Sequence, residues 1–271
     1  MFLLWLRVAA VLYGLASVSA LPAVLGDRPR WQRVCMPLTI GGWLFHLVSL
    51  VERLVEAHRL MPVGMHEVQS TLSLLIVTAY LFIWARYRTI SFGVFALPLA
   101  FLLVLIPAMG PDKYTFSTPL VRNGWIFIHV ALLLAAYAAL IFSLLASFFY
   151  LAQERRLKDK QTPGFLEWLP PLDTMNQIAQ TTLVFGFYCM TGGLLIGSLI
   201  AQEQVGSAYF LDPKVLLSFV MWMLYVVMLF VRRSTGLRGR RAIYLSSAVF
   251  VAMLCVWAAN LFSSVHRFTT Q

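Results

Sequence analysis

Among the side chains that can hold a metal, two histidines of this 271-residue chain stand out by their surroundings. His129 lies in Trp125-Ile126-Phe127-Ile128-His129-Val130, near the start of a long apolar run. His266 follows Asn260-Leu261-Phe262-Ser263-Ser264-Val265, just past another such run. Neutral imidazole is a common ligand for iron, and an ionisable residue at membrane depth is a functional candidate by default. Two histidines at one depth can hold a haem iron from both faces, with Tyr209, Phe210 and Trp257 available to pack the ring. A plainer reading stands beside this one. Trp125 and His129 share a helix face at i,i+4 spacing, and Trp125 suits the aromatic belt of a membrane interface. His266 taken alone is only a histidine near the end of the chain.

Between the two histidines lies a polar and aromatic island, Gln204-Val205-Gly206-Ser207-Ala208-Tyr209-Phe210-Leu211-Asp212-Pro213-Lys214. Pro213 suits the first turn of a helix and Asp212 the cap before it, so Asp-Pro-Lys marks a sharp boundary between helices. The question raised by the sequence is whether this loop and the histidines form one site.

The elements that position these residues follow from composition. Hydrophobic residues make up 60% of the chain and charged residues 12%, against roughly 25% charged in an ordinary soluble domain. The bilayer is the expected solvent. A spanning helix needs about 20 mostly apolar residues. Eight runs qualify, at 2–25, 34–52, 66–84, 90–110, 125–151, 178–201, 214–231 and 242–263. The fifth is longer than a span requires, so it tilts or projects. The longest connection, 152–177, is too short for a soluble domain. The expectation is an all-α, polytopic fold, one transmembrane domain over 1–271.

The net charge of +10 does not indicate nucleic acid, because the basic residues fall in short clusters between apolar runs. One set of loops carries 14 of the 21 Lys and Arg, at Arg28, Arg30, Arg33, Arg86, Arg88, Arg155, Arg156, Lys158, Lys160, Arg232, Arg233, Arg238, Arg240 and Arg241. The other side carries the remaining 7. The richer side is expected in the cytoplasm, which puts both termini outside. Ser17-Val18-Ser19-Ala20 resembles a signal-peptidase site, but the positive charge follows the apolar stretch where a signal peptide has it in front, so a retained first helix is expected.

This orientation sorts the histidines. His129, His266 and the 206–214 loop fall on the outer side, as do His58 and His66, which read as solvated loop residues. His46 lies inside the second run and reads as a core histidine bonded to a neighbouring helix. Glu67 suits the start of a helix. Cys35, Cys189 and Cys255 form no CxxC pair and read as small apolar side chains. Gly186, Gly192, Gly193 and Gly197 have the spacing of close helix packing. There is no GxSxG, no HExxH and no phosphate-binding glycine loop. The absence of acidic residues deep in the apolar runs argues against an ion pump or small-solute transporter.

The chain from about Met61 to Phe268 resembles the cytochrome c assembly family, the haem-handling membrane proteins that include CcsA, CcmC and CcmF. The resemblance rests on the segment around His129, followed by Ala135-Ala136-Tyr137-Ala138-Ala139-Leu140. It rests further on Gly206 to Lys214 ending in Asp212-Pro213-Lys214, on Arg238-Gly239-Arg240-Arg241-Ala242-Ile243-Tyr244, and on Asn260-Leu261-Phe262-Ser263-Ser264-Val265-His266. Pro62-Val63-Gly64-Met65-His66-Glu67 is similar to the family's segment before its third helix. The helix count is similar to that of the eight-helix HemX-like or YpjD-like branch. Two departures stand out. Tyr209, Phe210 and Leu211 occupy positions where the family carries tryptophans as a haem platform, and Phe230 stands where some members carry a histidine for haem in transit.

The resemblance implies a multi-pass protein of the bacterial inner membrane that is not itself an enzyme. His129 and His266 would be axial ligands to non-covalent haem b at the periplasmic face, with Trp125, Tyr209, Phe210 and Asp212 shaping the site. Its partners would be haem, membrane lipid and another membrane or periplasmic cytochrome c assembly protein. The alternative is a regulatory or scaffolding protein that kept the fold and lost haem delivery.

Overall fold

A computed structural model describes residues 1–25, 29–56, 64–110, 114–116, 124–158, 169–205, 211–235, 240–259 and 268–270. These residues form eight helices: α1 (Phe2–Leu25), α2 (Pro29–Glu56), α3 (Met65–Tyr87), α4 (Gly93–Met109), α5 (Gly124–Lys158), α6 (Leu172–Val205), α7 (Pro213–Thr235) and α8 (Arg240–Ala258). The fold is all-α, as the apolar runs imply. In hydrocarbon every backbone N–H and C=O must be paired within the segment, and a continuous helix does that. Six of the helices, α1, α2, α3, α5, α6 and α7, are long and apolar enough to cross a membrane; α4 and the Tyr244–Val256 part of α8 are shorter apolar helices.

Proline marks two of the starts. Pro29 and Pro213 are the first residues of α2 and α7, where a missing N–H costs nothing. Further prolines lie inside α1, α2 and α4, which membrane helices tolerate because neighbouring groups pair the freed carbonyls. The 35 residues of α5 measure about 52 Å at 1.5 Å per residue, well beyond a hydrocarbon core of about 30 Å.

The chain divides into two compact units, one of Met1–Lys113 with 161–170, the other of Tyr114–Lys160 with Pro171–Gln271. In the first unit α1 packs on α2 and α4, and α3 packs on α4 and α2. Polar side chains stitch these helices together. Arg7 donates to the Ala108 carbonyl at 3.0 Å, Trp43 Nε1 donates to Thr78 Oγ1 at 2.8 Å, and Ser73 donates to the Ala100 carbonyl at 2.8 Å. Arg53 forms an ion pair with Glu67, which is 8% exposed.

In the second unit α5 packs most extensively on α6, and α7 and α8 complete the core. Contacts between α5 and α6 fix their direction. His129 meets Gly193, Ala139 lies against Gly186, and Ser143 donates to the Ala179 carbonyl. Numbers rise on one helix as they fall on the other, so the two are antiparallel. The same holds for α6 and α7, where Trp222 reaches Thr191, Tyr225 approaches Gly186, and Arg232 reaches Asn176. The start of α5, the end of α6 and the start of α7 therefore share one end of the unit. A short antiparallel ribbon, β1 (Tyr114–Phe116) with β2 (Phe268–Thr270), adds to the helices and pairs the chain ahead of α5 with the chain beyond α8. Nothing in the hydropathy pattern points to this ribbon.

Candidate functional site

His129 sits just over one turn into α5, in the α5–α6 interface. Its Nδ1 lies 2.6 Å from the carbonyl oxygen of Gly193 on α6. A carbonyl only accepts, so this bond places the ring proton on Nδ1 and leaves the lone pair on Nε2. Among the described residues Nε2 has no hydrogen-bond partner. The ring also lies against Gly197, one turn further along α6, where an added Cβ would strike ring atoms Cε1 and Nδ1. The missing side chain of Gly197 thus leaves the space that the imidazole occupies, and the Gly193 carbonyl holds the ring there. An imidazole with Nδ1 held by a carbonyl and Nε2 available is the arrangement of a metal-ligating histidine, because the Nδ1 bond fixes the tautomer and orients the ring.

The described end of the loop, from Leu211 to Lys214, lies at the same end of the unit. Asp212 is buried, at 4% exposure, and its Oδ1 accepts the Lys214 backbone N–H at 2.9 Å. The Asp212 carbonyl then accepts from the Leu216 N–H at 3.0 Å, the first turn of α7. Asp212 is therefore the N-cap that the Asp-Pro-Lys pattern implies. Lys214 is the second residue of α7, at the end of the unit where α5 begins. Asp212, Lys214 and His129 lie at the same end of one unit.

The other expected site residues fall differently. Trp125 lies in the first turn of α5 and is 59% exposed. Tyr209, Phe210 and His266 lie outside the described residues, as does His58. Trp257 belongs to α8, but its side chain is outside the described set. Phe230 is 70% exposed on α7. The aromatic packing that is described lies deeper in the core, where Phe187 stacks on Trp222 at 6.2 Å between centroids and Trp222 donates to Thr191 Oγ1 at 2.9 Å.

The remaining histidines have structural partners. His46 is 1% exposed, with Nε2 2.8 Å from Ser70 Oγ and Nδ1 3.3 Å from the Tyr13 hydroxyl. This bears out the reading of a core histidine. His66 is a correction. It is not a solvated loop residue but the second residue of α3, half-buried, with Nδ1 3.2 Å from the Gly110 carbonyl just past the end of α4. The last carbonyls of a helix need outside donors, and His66 and Arg7 supply them to the segment after Pro107.

Sequence reasoning misses Gly193 and Gly197 as neighbours of the histidine. Their spacing signals close packing, but nothing in the sequence states which residue of α5 lies opposite. Lys214 is likewise visible only as part of a turn. Among the described residues no group of three or more His, Cys, Asp or Glu is placed to hold a bare metal ion.

The family model described as cytochrome C assembly protein matches residues 31–266, which takes in α2 as well as the motifs around His129 and Asp212. The chain is 28% identical over 191 residues to the cytochrome c biogenesis protein CcsA of Prochlorococcus marinus (strain MIT 9515), covering 62% of this chain and 61% of that protein. It is 26% identical over 247 residues to CcsA of Prochlorococcus marinus subsp. pastoris (strain CCMP1986 / NIES-2087 / MED4), covering 82% and 79%. It is 26% identical over 277 aligned residues to CcsA of Synechococcus sp. (strain RCC307), covering 91% and 89%. The first of these matches spans less than two thirds of the relative's length.

Proposed function

Because the chain belongs to the cytochrome c assembly protein family, we propose that it serves cytochrome c assembly from within a membrane by holding haem and handing it on. In this reading the haem is b-type, bound non-covalently, with His129 and His266 as axial ligands at the periplasmic face of a bacterial inner membrane. Haem is cargo here, and the protein carries out no covalent step on it. Attachment to an apocytochrome would fall to a partner membrane or periplasmic assembly protein.

The observation that carries this reading is the state of His129. Its Nδ1 is anchored by the Gly193 carbonyl, and among the described residues its Nε2 has no hydrogen-bond partner. The donor set suits a porphyrin better than a bare ion. Haem iron brings four ring nitrogens and needs only one or two ligands from protein, whereas the described residues offer no three-ligand cluster. Lys214 stands near the start of α7, at the same end of the unit as the start of α5, where its cation would suit the propionate carboxylates that any haem carries. The excess of Lys and Arg in the opposite loops, 14 against 7, supports the outer placement.

A second reading is favoured by one specific observation. Tyr209, Phe210 and Leu211 replace the tryptophans of the resemblance, and Phe230 replaces its transit histidine. Tyr and Phe offer less stacking area, and Leu offers none. A HemX-like or YpjD-like regulatory or scaffolding protein would keep the fold without delivering haem. Visible spectra of the purified protein in detergent, oxidised and reduced, separate the two. Haem holding predicts low-spin bis-histidine bands that are lost in His129→Ala and in His266→Ala. A preparation that stays colourless after haem is added supports the scaffold.

A further inference from the structure

We propose that Gly193 and Gly197 of α6 are positioning residues for His129: the Gly193 carbonyl holds the ring proton on Nδ1, and the missing side chain at Gly197 is the space in which the ring stands. The functional meaning rests on His129 being a haem ligand; the tautomer and the notch rest on geometry alone. The plain alternative is that these glycines serve only to bring α5 and α6 together. Four glycines on α6 allow the two to be told apart, because what a Cβ would meet differs at each.

At Gly192 an added Cβ would make ordinary contact with Leu132 Cδ1 at 3.4 Å. At Gly186 it would meet the Tyr225 hydroxyl at 3.0 Å and Ala139 Cβ at 3.3 Å, a tight helix contact with no histidine present. At Gly193 it would fall 2.8 Å from Leu133 Cδ2, the end of a flexible side chain. At Gly197 the three nearest atoms all belong to the His129 ring. A planar ring tied at Nδ1 cannot turn aside as a leucine can. To make room it must swing away and give up the Gly193 bond. The same helix therefore supplies both the acceptor that sets the tautomer and the gap that admits the ring, at positions four apart and so on one face.

Groups that fix the non-ligating nitrogen of a ligand histidine typically contribute about 10- to 100-fold in affinity. The test uses the full chain in detergent, labelled with 15N-histidine and free of haem, with the His129 signal assigned by its loss in His129→Gln. The expected signal is a neutral ring protonated on Nδ1. Gly197→Ala should abolish that state, and Gly192→Ala should leave it intact. Ferric haem is then titrated into each variant, with Gly197→Ala expected to bind at least about tenfold more weakly and Gly192→Ala to bind as wild type does. If Gly197→Ala does not fold, the double variant Gly197→Ala/His129→Ala should, since the ring that the methyl strikes is gone. An Nδ1-protonated ring in a wild-type protein that binds no haem would support the positioning and overturn the haem reading. A Gly197→Ala protein with unchanged tautomer and unchanged haem affinity, or failure of the double variant to fold, would overturn the positioning itself.

Discussion

His46 and His129 are both imidazoles on long apolar helices, one in each unit, and they differ by a single hydrogen bond. His46 uses both ring nitrogens, toward Ser70 Oγ and the Tyr13 hydroxyl, and so ties α2 to α3 and to α1. Among the described residues His129 uses only Nδ1, toward a carbonyl that can do nothing but accept. The first histidine is satisfied by its own fold. The second is oriented by its fold and left with a lone pair for something else. Membrane depth alone therefore does not separate the proposed ligand from the strut; the count of nitrogens occupied by described residues does. The polar groups around each agree with this. Those near His46 are bonded hydroxyls and, toward the end of α2, the Arg53–Glu67 pair, whereas His129 has the Gly193 carbonyl beside it and no side chain at Gly197.

Several substitutions sharpen or break this contrast. The largest effect is expected for Glu67→Ala, which leaves Arg53 without its partner in a mostly buried setting. Breaking such a pair costs about 3–5 kcal/mol, to be read from unfolding in detergent, and a loss near zero would mean that the pair is in water. His46→Leu comes next. It strands two buried hydroxyl partners at about 1–3 kcal/mol while leaving any bound haem in place; loss of haem together with normal stability would reverse the roles assigned here. Asp212→Ala removes the N-cap of α7 and should cost about 1 kcal/mol, with Asp212→Asn keeping most of it. Equal losses in the two would show that the carboxylate charge matters more than the cap. The smallest effect is expected for Tyr13→Phe, which deletes one 3.3 Å contact to His46, at about 0.6 kcal/mol. A much larger loss there would make Tyr13 the centre of the α1–α2–α3 network.

Much of the fold is legible in the sequence, because hydropathy reports directly on the requirement to pair backbone groups in lipid. The run at 2–25 coincides with α1, and 66–84 falls inside α3. The edges are less legible. α2 begins at Pro29 and α6 at Leu172, several residues before the apolar runs do, because helices continue into polar surroundings that hydropathy does not mark. Asp212 as a cap is legible because capping is local chemistry. His66 is misread because its partner, the Gly110 carbonyl, is far away in the chain. The notch at Gly197 is half legible: the glycine spacing announces a close approach, but which side chain enters it depends on the register of α5 against α6, and that register is set by packing rather than by local pattern.

The central claim is that His129, and not His46, is a haem ligand. It is tested most directly by the haem-to-protein ratio of His129→Ala and His46→Ala proteins purified side by side with wild type. The account predicts that the ratio collapses in His129→Ala and stays at the wild-type level in folded His46→Ala. A His129→Ala protein that retains its haem, or a His46→Ala protein that alone loses it, would contradict the account.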